Sequence, residues 1–476
     1  MNLYDVIEYP SYAIPQSYPD KLAVVGTMFG MSPPPPERAR VLDVGCGSGG
    51  NLLPMAMLWP GGEYVGIDLA STGIDNARAK ALRLGLKNVR FECADLMELP
   101  EDYGKFDYIL AHGFISWVPA PVRERLFDVC RDRLTPQGIA YISYNAYPGC
   151  HVRDMFREIM LEHTRGIDDP LKLAEEARSI VETIAESGIS TDALQELARA
   201  ERDVICRKSP GSLMHDELNE NFNSFYFHQF AAMAARHGLQ FLFEAVYDEG
   251  QPPANLSEEA NAMLERARQR GFQIGEQYQD FLTLRRFRQS LVTHAGVALD
   301  RGSLASSMHK FHYAAPLQRT EVPKGIEFSN ARTKAGAVTP NPITIAALDR
   351  IGKAWPSTVA FAELAEDDHG RRVLEPVLER FFAAGLLDVH ATARVCPQQL
   401  SDRPEVWSYA RLQAETERVL TPLTLTGVNV EDEHIRKLVL LTDGTRTIDE
   451  LATLLGDRAG VERGLIGAGK MGFLVR

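Results

Sequence analysis

No stretch of the sequence approaches the ~18 uninterrupted apolar residues of a membrane-spanning helix, and the opening MNLYDVIEYP has neither a basic n-region nor an apolar h-region. A cytosolic protein is expected. No two cysteines are spaced as CxxC and none stands at metal-ligand spacing from a histidine. The six cysteines, at 46, 93, 130, 150, 206 and 396, therefore read as free thiols of a reducing cytoplasm, with no metal site. Positive charge is in deficit: 51 Lys plus Arg face 64 Asp plus Glu, a balance of −13 that repels phosphates and attracts amines and other cations. Nucleic acid is set aside as the main partner. Low complexity is confined to Pro33–Pro36, a stiff spacer. With 45% apolar and 24% charged residues, a collagen-like, mucin-like or tail-like protein is excluded. What is present is a globular chain of 476 residues, about three domains at roughly 150 residues each.

From position 39 onward, short apolar runs alternate with amphipathic stretches. ARVLDV (39–44), EYVGID (63–68), VRFECAD (89–95), FDYILAHG (106–113) and GIAYISYN (138–145) suit strands covered on both faces, with crossover helices between them. The pattern predicts an α/β fold built on a doubly wound, Rossmann-like parallel sheet. After Pro148 the alternation stops, and 151–206 reads as successive helices forming an insertion. The α/β pattern resumes with a helix over 222–238 ending on Gly238 and the strand QFLFEAVYD, and RRFRQSLVTH (285–294) closes the sheet. Region 309–342 is turn-rich and ends in a linker, AVTPNP. The helix-rich segments 343–390 and 405–476 admit a winged-helix reading.

The densest signal is Asp43-Val-Gly45-Cys46-Gly47-Ser-Gly49-Gly50-Asn51, between the first strand and a helix. Glycines let the backbone turn sharply and approach a ligand, and the helix start offers free N–H groups. Gly45, Gly47 and Gly50 fit GxGxxG, the dinucleotide pattern. Asp43 argues against a pyrophosphate, because a carboxylate there repels phosphate and attracts an ammonium. Asp68 ends the second strand, where it can accept bonds from ribose hydroxyls, and Asp95 ends the third, facing an adenine amino group. Three carboxylates at successive strand ends match S-adenosyl-L-methionine. The plainer reading makes Asp68 and Asp95 helix caps or turn residues.

At these residues the sequence resembles the class I S-adenosylmethionine-dependent methyltransferases. The likeness extends to YPSYAIPQSYPDKL (9–22), AHGFISWVP, SYNAYPG (143–149), HDELNENFNSFYFHQFAAMAARHGL (215–239) and EQYQDFLTLRRFRQSLVTH (276–294). These segments resemble methyltransferases with a regulatory domain, including rickettsial-type protein lysine methyltransferases. The N-terminal segment 1–30 reads as a lid in which Tyr4 and Tyr12 cover the cofactor, or equally as a docked structural arm, and the resemblance implies a catalytic core over 31–150 and 207–296. It implies a helical insertion over 151–206, a regulatory domain over 297–395 and a helix-rich C-terminal domain over 396–476. Expected cofactor contacts are Asp43, Gly45, Cys46, Gly47, Gly49, Asn51, Asp68, Leu69, Asp95, Leu96 and His112.

Methyl transfer is an in-line displacement at a sulfonium carbon, so the protein supplies proximity, alignment and a dry pocket. Residues after the fourth and fifth strands face that pocket in this fold: His112, Trp117, Tyr144, Asn145 and Tyr147. They are the catalytic candidates, the aromatic ones suiting an ammonium or methylammonium acceptor. Each also has a structural reading: loop orientation for His112, packing for Trp117 and Tyr144, turn roles for Asn145 and Tyr147. His215, Asp216 and Glu217 read as charges just before a helix, or as proton acceptors. The first expectation is methylation of protein lysines. Against it stands a small-molecule N- or O-methyltransferase whose extra domains form a homodimer or shape the pocket, and a non-catalytic cofactor sensor. Since all three carboxylates lie before residue 100, the C-terminal parts are expected to serve the acceptor and not the cofactor.

Overall fold

The computed structural model describes residues 9–100, 103–188, 192–302 and 304–476; Tyr4 lies outside them. Five parallel strands follow the expected alternation: β1 (Arg40–Val44), β2 (Glu63–Asp68), β3 (Val89–Cys93), β4 (Phe106–Ala111) and β5 (Leu134–Ala146). Two-residue β6 (Ser224–Phe225) pairs with the end of β5, and β7 (Leu239–Glu244) and β8 (Phe287–His294) complete an eight-stranded sheet ordered β3-β2-β1-β4-β5-β8-β7. β8 is antiparallel to both neighbours and lies between them. It closes the sheet from inside, not at the edge.

Alternation along the strands splits the core. Val41, Tyr64, Tyr108 and Tyr141 enter one apolar layer, whereas Leu42, Val65, Ile109 and Ile142 enter the layer on the other face. The helical insertion has four helices, Cys150–His163, Pro170–Glu186, Asp192–Ile205 and Pro210–Asp216, around a small core of its own. The helix expected over 222–238 starts only at Phe227 and ends at Arg236, because β6 takes up 224–225.

Beyond the sheet, a three-stranded ribbon (Leu317–Val322, Gly325–Asn330, Gly336–Thr339) and a small sheet ordered Val359–Ala360, His312–Ala314, Asp388–His390 carry helices Pro342–Ala354 and Asp368–Ala383. The AVTPNP segment is not a linker: it holds the last ribbon strand and the Asn341 side chain that caps helix Pro342–Ala354. Among the described residues no helix is long and apolar enough to cross a membrane.

Two long-range connections tie the ends of the chain to the sheet. Asp20, in helix Pro19–Met28, accepts bonds from Thr392 N–H (2.8 Å), Thr392 Oγ1 (2.9 Å) and His390 Nδ1 (2.7 Å). His390, the Lys21 ammonium and Thr392 N–H hold its carboxyl far below the usual range against the upward push of burial. Near the C-terminus, the buried Tyr409 hydroxyl donates to the Gly50 carbonyl at 3.3 Å. The C-terminal part therefore buttresses the glycine loop directly.

Behind β8, Arg288 is fully buried, and its guanidinium meets Asp280 (2.9 Å), Glu244 (2.6 Å) and Glu276 (3.2 Å). This joins β7, β8 and helix Phe272–Thr283 through one side chain. The array was not legible as a core feature in a segment that opens with three arginines in four residues.

Candidate active site

The loop after β1 turns because Gly45, Gly47 and Gly49 take φ of 77°, 53° and 78°, in the left-handed region that side chains resist. Gly45 and Cys46 N–H both bond the Ile67 carbonyl (2.9 and 3.1 Å), which pins the loop to the end of β2. Cys46 is buried with its thiol pushed up by burial, and Leu96 is buried in the opposite apolar layer.

At the strand ends, Asp43 is 3% exposed and its carboxyl is pushed up to about 7, mainly by burial. A bond from Asn51 opposes the shift, and the charge of Asp68 adds to it. Asp68 accepts Gly47 N–H (2.9 Å) and Ala70 N–H (2.9 Å), one on each oxygen. Asp95 is exposed and accepts Met97 N–H (2.9 Å) at the start of a short turn. Both carboxylates thus perform the turn and capping roles that the plainer reading gave them, and remain at the strand ends beside Leu69, a leucine 58% exposed.

Residues 9–18 form a strap over the loop. Gly50 N–H donates to Ser11 Oγ (2.9 Å), Ile14 N–H to Asn51 Oδ1 (2.9 Å), Asn51 Nδ2 to Ser17 Oγ (3.0 Å) and Tyr18 OH to the Asn51 carbonyl (3.1 Å). A Cβ on Gly50 would strike the Ser11 carbonyl, so the strap's approach requires glycine there. Tyr12 is 49% exposed.

His112 lies next to this group. Asp43 pairs in register with Leu110, and His112 follows two residues on, just past the carboxyl end of β4. The Phe114 ring lies 3.2 Å from where a Gly45 Cβ would be, and the Phe287 ring meets His112 edge-on at 6.0 Å. Burial lowers the imidazole to about 4, so it is neutral at physiological pH. Its Nδ1 is 2.8 Å from Tyr141 OH, Tyr141 OH donates to Gln289 Oε1 (2.8 Å), and Gln16 Nε2 of the strap donates to the same oxygen (2.7 Å).

The other expected catalytic residues make contacts of their own, and Trp117 Nε1 lies 3.8 Å from where a Gly113 Cβ would be. Tyr144 is fully buried in the opposite layer, stacked on Phe230 at 4.5 Å; one step along β5 from Ser143, it points to the other face. Trp117 meets Phe222 edge-on at 5.3 Å and receives the Arg153 guanidinium at 5.5 Å, so its face holds the protein's own cation. Asn145 Oδ1 accepts from that Arg153 (3.0 Å). Tyr147 stacks on His151 (4.1 Å) and donates to Asp154 (2.7 Å). His215 and Asp216 close helix Pro210–Asp216 and do not precede one. His215 is buried against Tyr9, Asp216 pairs with Lys208, and Glu217 pairs with Arg153 and Lys208.

Ser11, Gln16, Phe114, Tyr141 and Gln289 were not singled out from sequence. The strap's partners stand as many as 273 positions away, a separation no local pattern reports. The one available signal was the YAIPQSYP segment, an aromatic and proline-rich stretch preceding the first strand.

Residues 41–138 match the family described as Methyltransferase domain, and 209–294 the one described as Predicted methyltransferase regulatory domain. The uncharacterized protein RP789 of Rickettsia prowazekii is 32% identical over 380 residues, covering 77% of this chain and 68% of that protein. A ubiquinone biosynthesis O-methyltransferase of Coxiella burnetii is 34% identical over 103 residues, 22% of this chain and 42% of its own. The solved structure of PKMT2 from Rickettsia typhi in complex with AdoHcy superposes with a TM-score of 0.84 at 25% identity, covering 98% of this chain and all of that one. With its glycine loop, strand-end carboxylates and regulatory segment, the chain belongs to the class I S-adenosylmethionine-dependent methyltransferases that carry a methyltransferase regulatory domain.

Proposed function

We propose that the enzyme transfers the methyl group to lysine amines of protein substrates. The observation that carries this reading is the reach of the structural likeness. It runs through 98% of the chain, accessory domains included, in the comparison with PKMT2, whereas the likeness to the O-methyltransferase stops at 103 residues. The resemblance to rickettsial-type protein lysine methyltransferases along the sequence supports the same acceptor, as does the net charge of −13, which favours a cationic polypeptide.

In this reading Asp43 takes the cofactor's ammonium, Asp68 the ribose hydroxyls, and Leu69 and Asp95 flank the adenine. Bound S-adenosylmethionine supplies a methyl on a sulfonium, and the chain's own residues do the rest. The strap excludes water above the loop. The apolar rings of Phe114 and Phe287 desolvate an approaching amine, which lowers its pKa and favours the neutral form with its lone pair available.

The test is incubation of the full chain and S-adenosylmethionine with basic polypeptides and, separately, with small phenols and carboxylates, followed by intact-mass and peptide mass spectrometry. One-methyl mass increments on lysine are expected. Turnover confined to the small molecules would replace this reading with a small-molecule methyltransferase.

A further inference from the structure

The geometry points to Tyr141 and Gln289 as positioning residues that hold the His112 imidazole with its proton on Nδ1 and its lone pair on Nε2, where it accepts an N–H of the incoming amine. This rests on the amine-methylation reading above.

Gln289 is buried, and its side-chain oxygen accepts from both Tyr141 OH and Gln16 Nε2. The Gln289 side chain lowers the Glu249 carboxyl against the upward push of burial, as an NH2 turned toward a carboxylate does. The amide therefore turns its NH2 toward Glu249 and its oxygen toward Tyr141. A tyrosine hydroxyl has one proton, and this one is committed to Gln289. Toward His112 the Tyr141 oxygen is left as an acceptor, so the hydrogen on Nδ1 must be supplied by the imidazole. Ser143 Oγ, 3.3 Å from Nδ1, receives Gly113 N–H at 2.6 Å and lowers the Tyr141 hydroxyl as a donor turned toward it does, so its one proton is not the one on Nδ1. In the neutral ring one nitrogen carries the proton and the other the lone pair, so Nε2 is basic. The ring is stacked on Tyr141 and braced by Phe287.

A neutral amine has its lone pair aimed at the methyl carbon and N–H bonds pointing elsewhere. An acceptor at one N–H fixes that aim. As the amine nitrogen bonds to the methyl carbon, the carbon–sulfur pair leaves on sulfur. The new ammonium releases its extra proton to solvent when the product departs, so His112 orients and does not need to store the proton. Gln16 brings the strap into the chain of bonds, so the strap that seats on the glycine loop also holds the oxygen that sets the tautomer.

Nitrogen NMR of the full chain labelled with 15N-histidine tests this without any acceptor present, the His112 signals being assigned by their loss in His112→Gln. A protonated Nδ1 and a lone-pair Nε2 are expected. Gln289→Met frees the Tyr141 proton to be donated to Nδ1, and the two nitrogens should exchange signatures. Tyr141→Phe should lower kcat roughly five- to tenfold, about the worth of one neutral hydrogen bond, with KM for S-adenosylmethionine unchanged. If Tyr141→Phe does not fold, Gln289→Met carries the test. A protonated Nε2 in the native enzyme, or an unaltered spectrum in folded Gln289→Met, overturns the assignment. The expected spectra with no lysine turnover would instead remove the acceptor reading and leave the tautomer standing.

Discussion

Lowering the pH below 7 should weaken S-adenosylmethionine binding through a single group, Asp43. Its carboxyl, buried at the end of β1, is pushed up to about 7, so the ligand-free chain holds a proton there at pH 6. An ammonium needs the carboxylate, and binding must expel that proton. Each pH unit below the pKa then adds about 1.4 kcal/mol, nearly tenfold in affinity. Between pH 7 and 6 the loss should be about fivefold, since half the sites are already charged at pH 7, and between 6 and 5 about tenfold. The sign in the ligand-free chain follows from the same group. A raised carboxyl binds its proton more tightly folded than unfolded, so stability falls as pH rises from about 4 to about 7, by as much as ~4 kcal/mol. Cofactor binding offsets that loss. Calorimetry in buffers of different ionisation enthalpy should show proton release near pH 6.5 that vanishes in Asp43→Asn. Wild type and variant should differ by about 1.5–3 kcal/mol at pH 7.5 and converge near pH 5. His112, lowered to about 4, is silent in this window. An affinity flat from pH 5.5 to 7.5 with no buffer-dependent heat would refute the reasoning.

Gly50→Ala should lift the strap, since a Cβ meets Ser11 and Tyr12 backbone. Losing the Ser11 and Ile14 bonds, about 2 kcal/mol together, should speed limited proteolysis within residues 9–18 and weaken the cofactor; an unchanged cleavage rate would count against a seated strap. Tyr144→Phe keeps the stack on Phe230 and should keep native turnover, while Tyr144→Ala should destabilise by roughly 3–5 kcal/mol, read as a fall in Tm. Turnover lost in a fully stable Tyr144→Phe would return that residue to the catalytic group.

The sheet was legible because strands covered on both faces are written as short apolar runs, and the glycine loop because left-handed turns select glycine. The choice between Tyr141 and Tyr144 was not. Adjacent positions of a strand point to opposite faces, and with both faces apolar nothing in YISYN says which tyrosine meets the site. Trp117 was legible as an aromatic near β4 but not as already occupied, because Arg153 reaches it from the helical insertion. Arg288 reads as a surface charge until Glu244, Glu276 and Asp280 close around it. Asp20 reads as a helix-start acid, since its partners His390 and Thr392 are 370 and 372 positions away.

The connections that complete the glycine loop also fix an order of events during synthesis. Residues 9–18 leave the ribosome before residues they meet, for Gln16 waits for residue 289 and Asp20 for 390 and 392, and the Gly50 carbonyl meets Tyr409 later still. These residues wait for partners made hundreds of positions later, and closing such long loops is slow compared with forming local helices. A ribosome-bound chain can thus hold the strand-end carboxylates and the strap's bonds to Gly50 and Asn51 in place while the link through Gln16 to β8 is still unmade. The ability to retain cofactor should arise only once Gln289 and Tyr409 have been made.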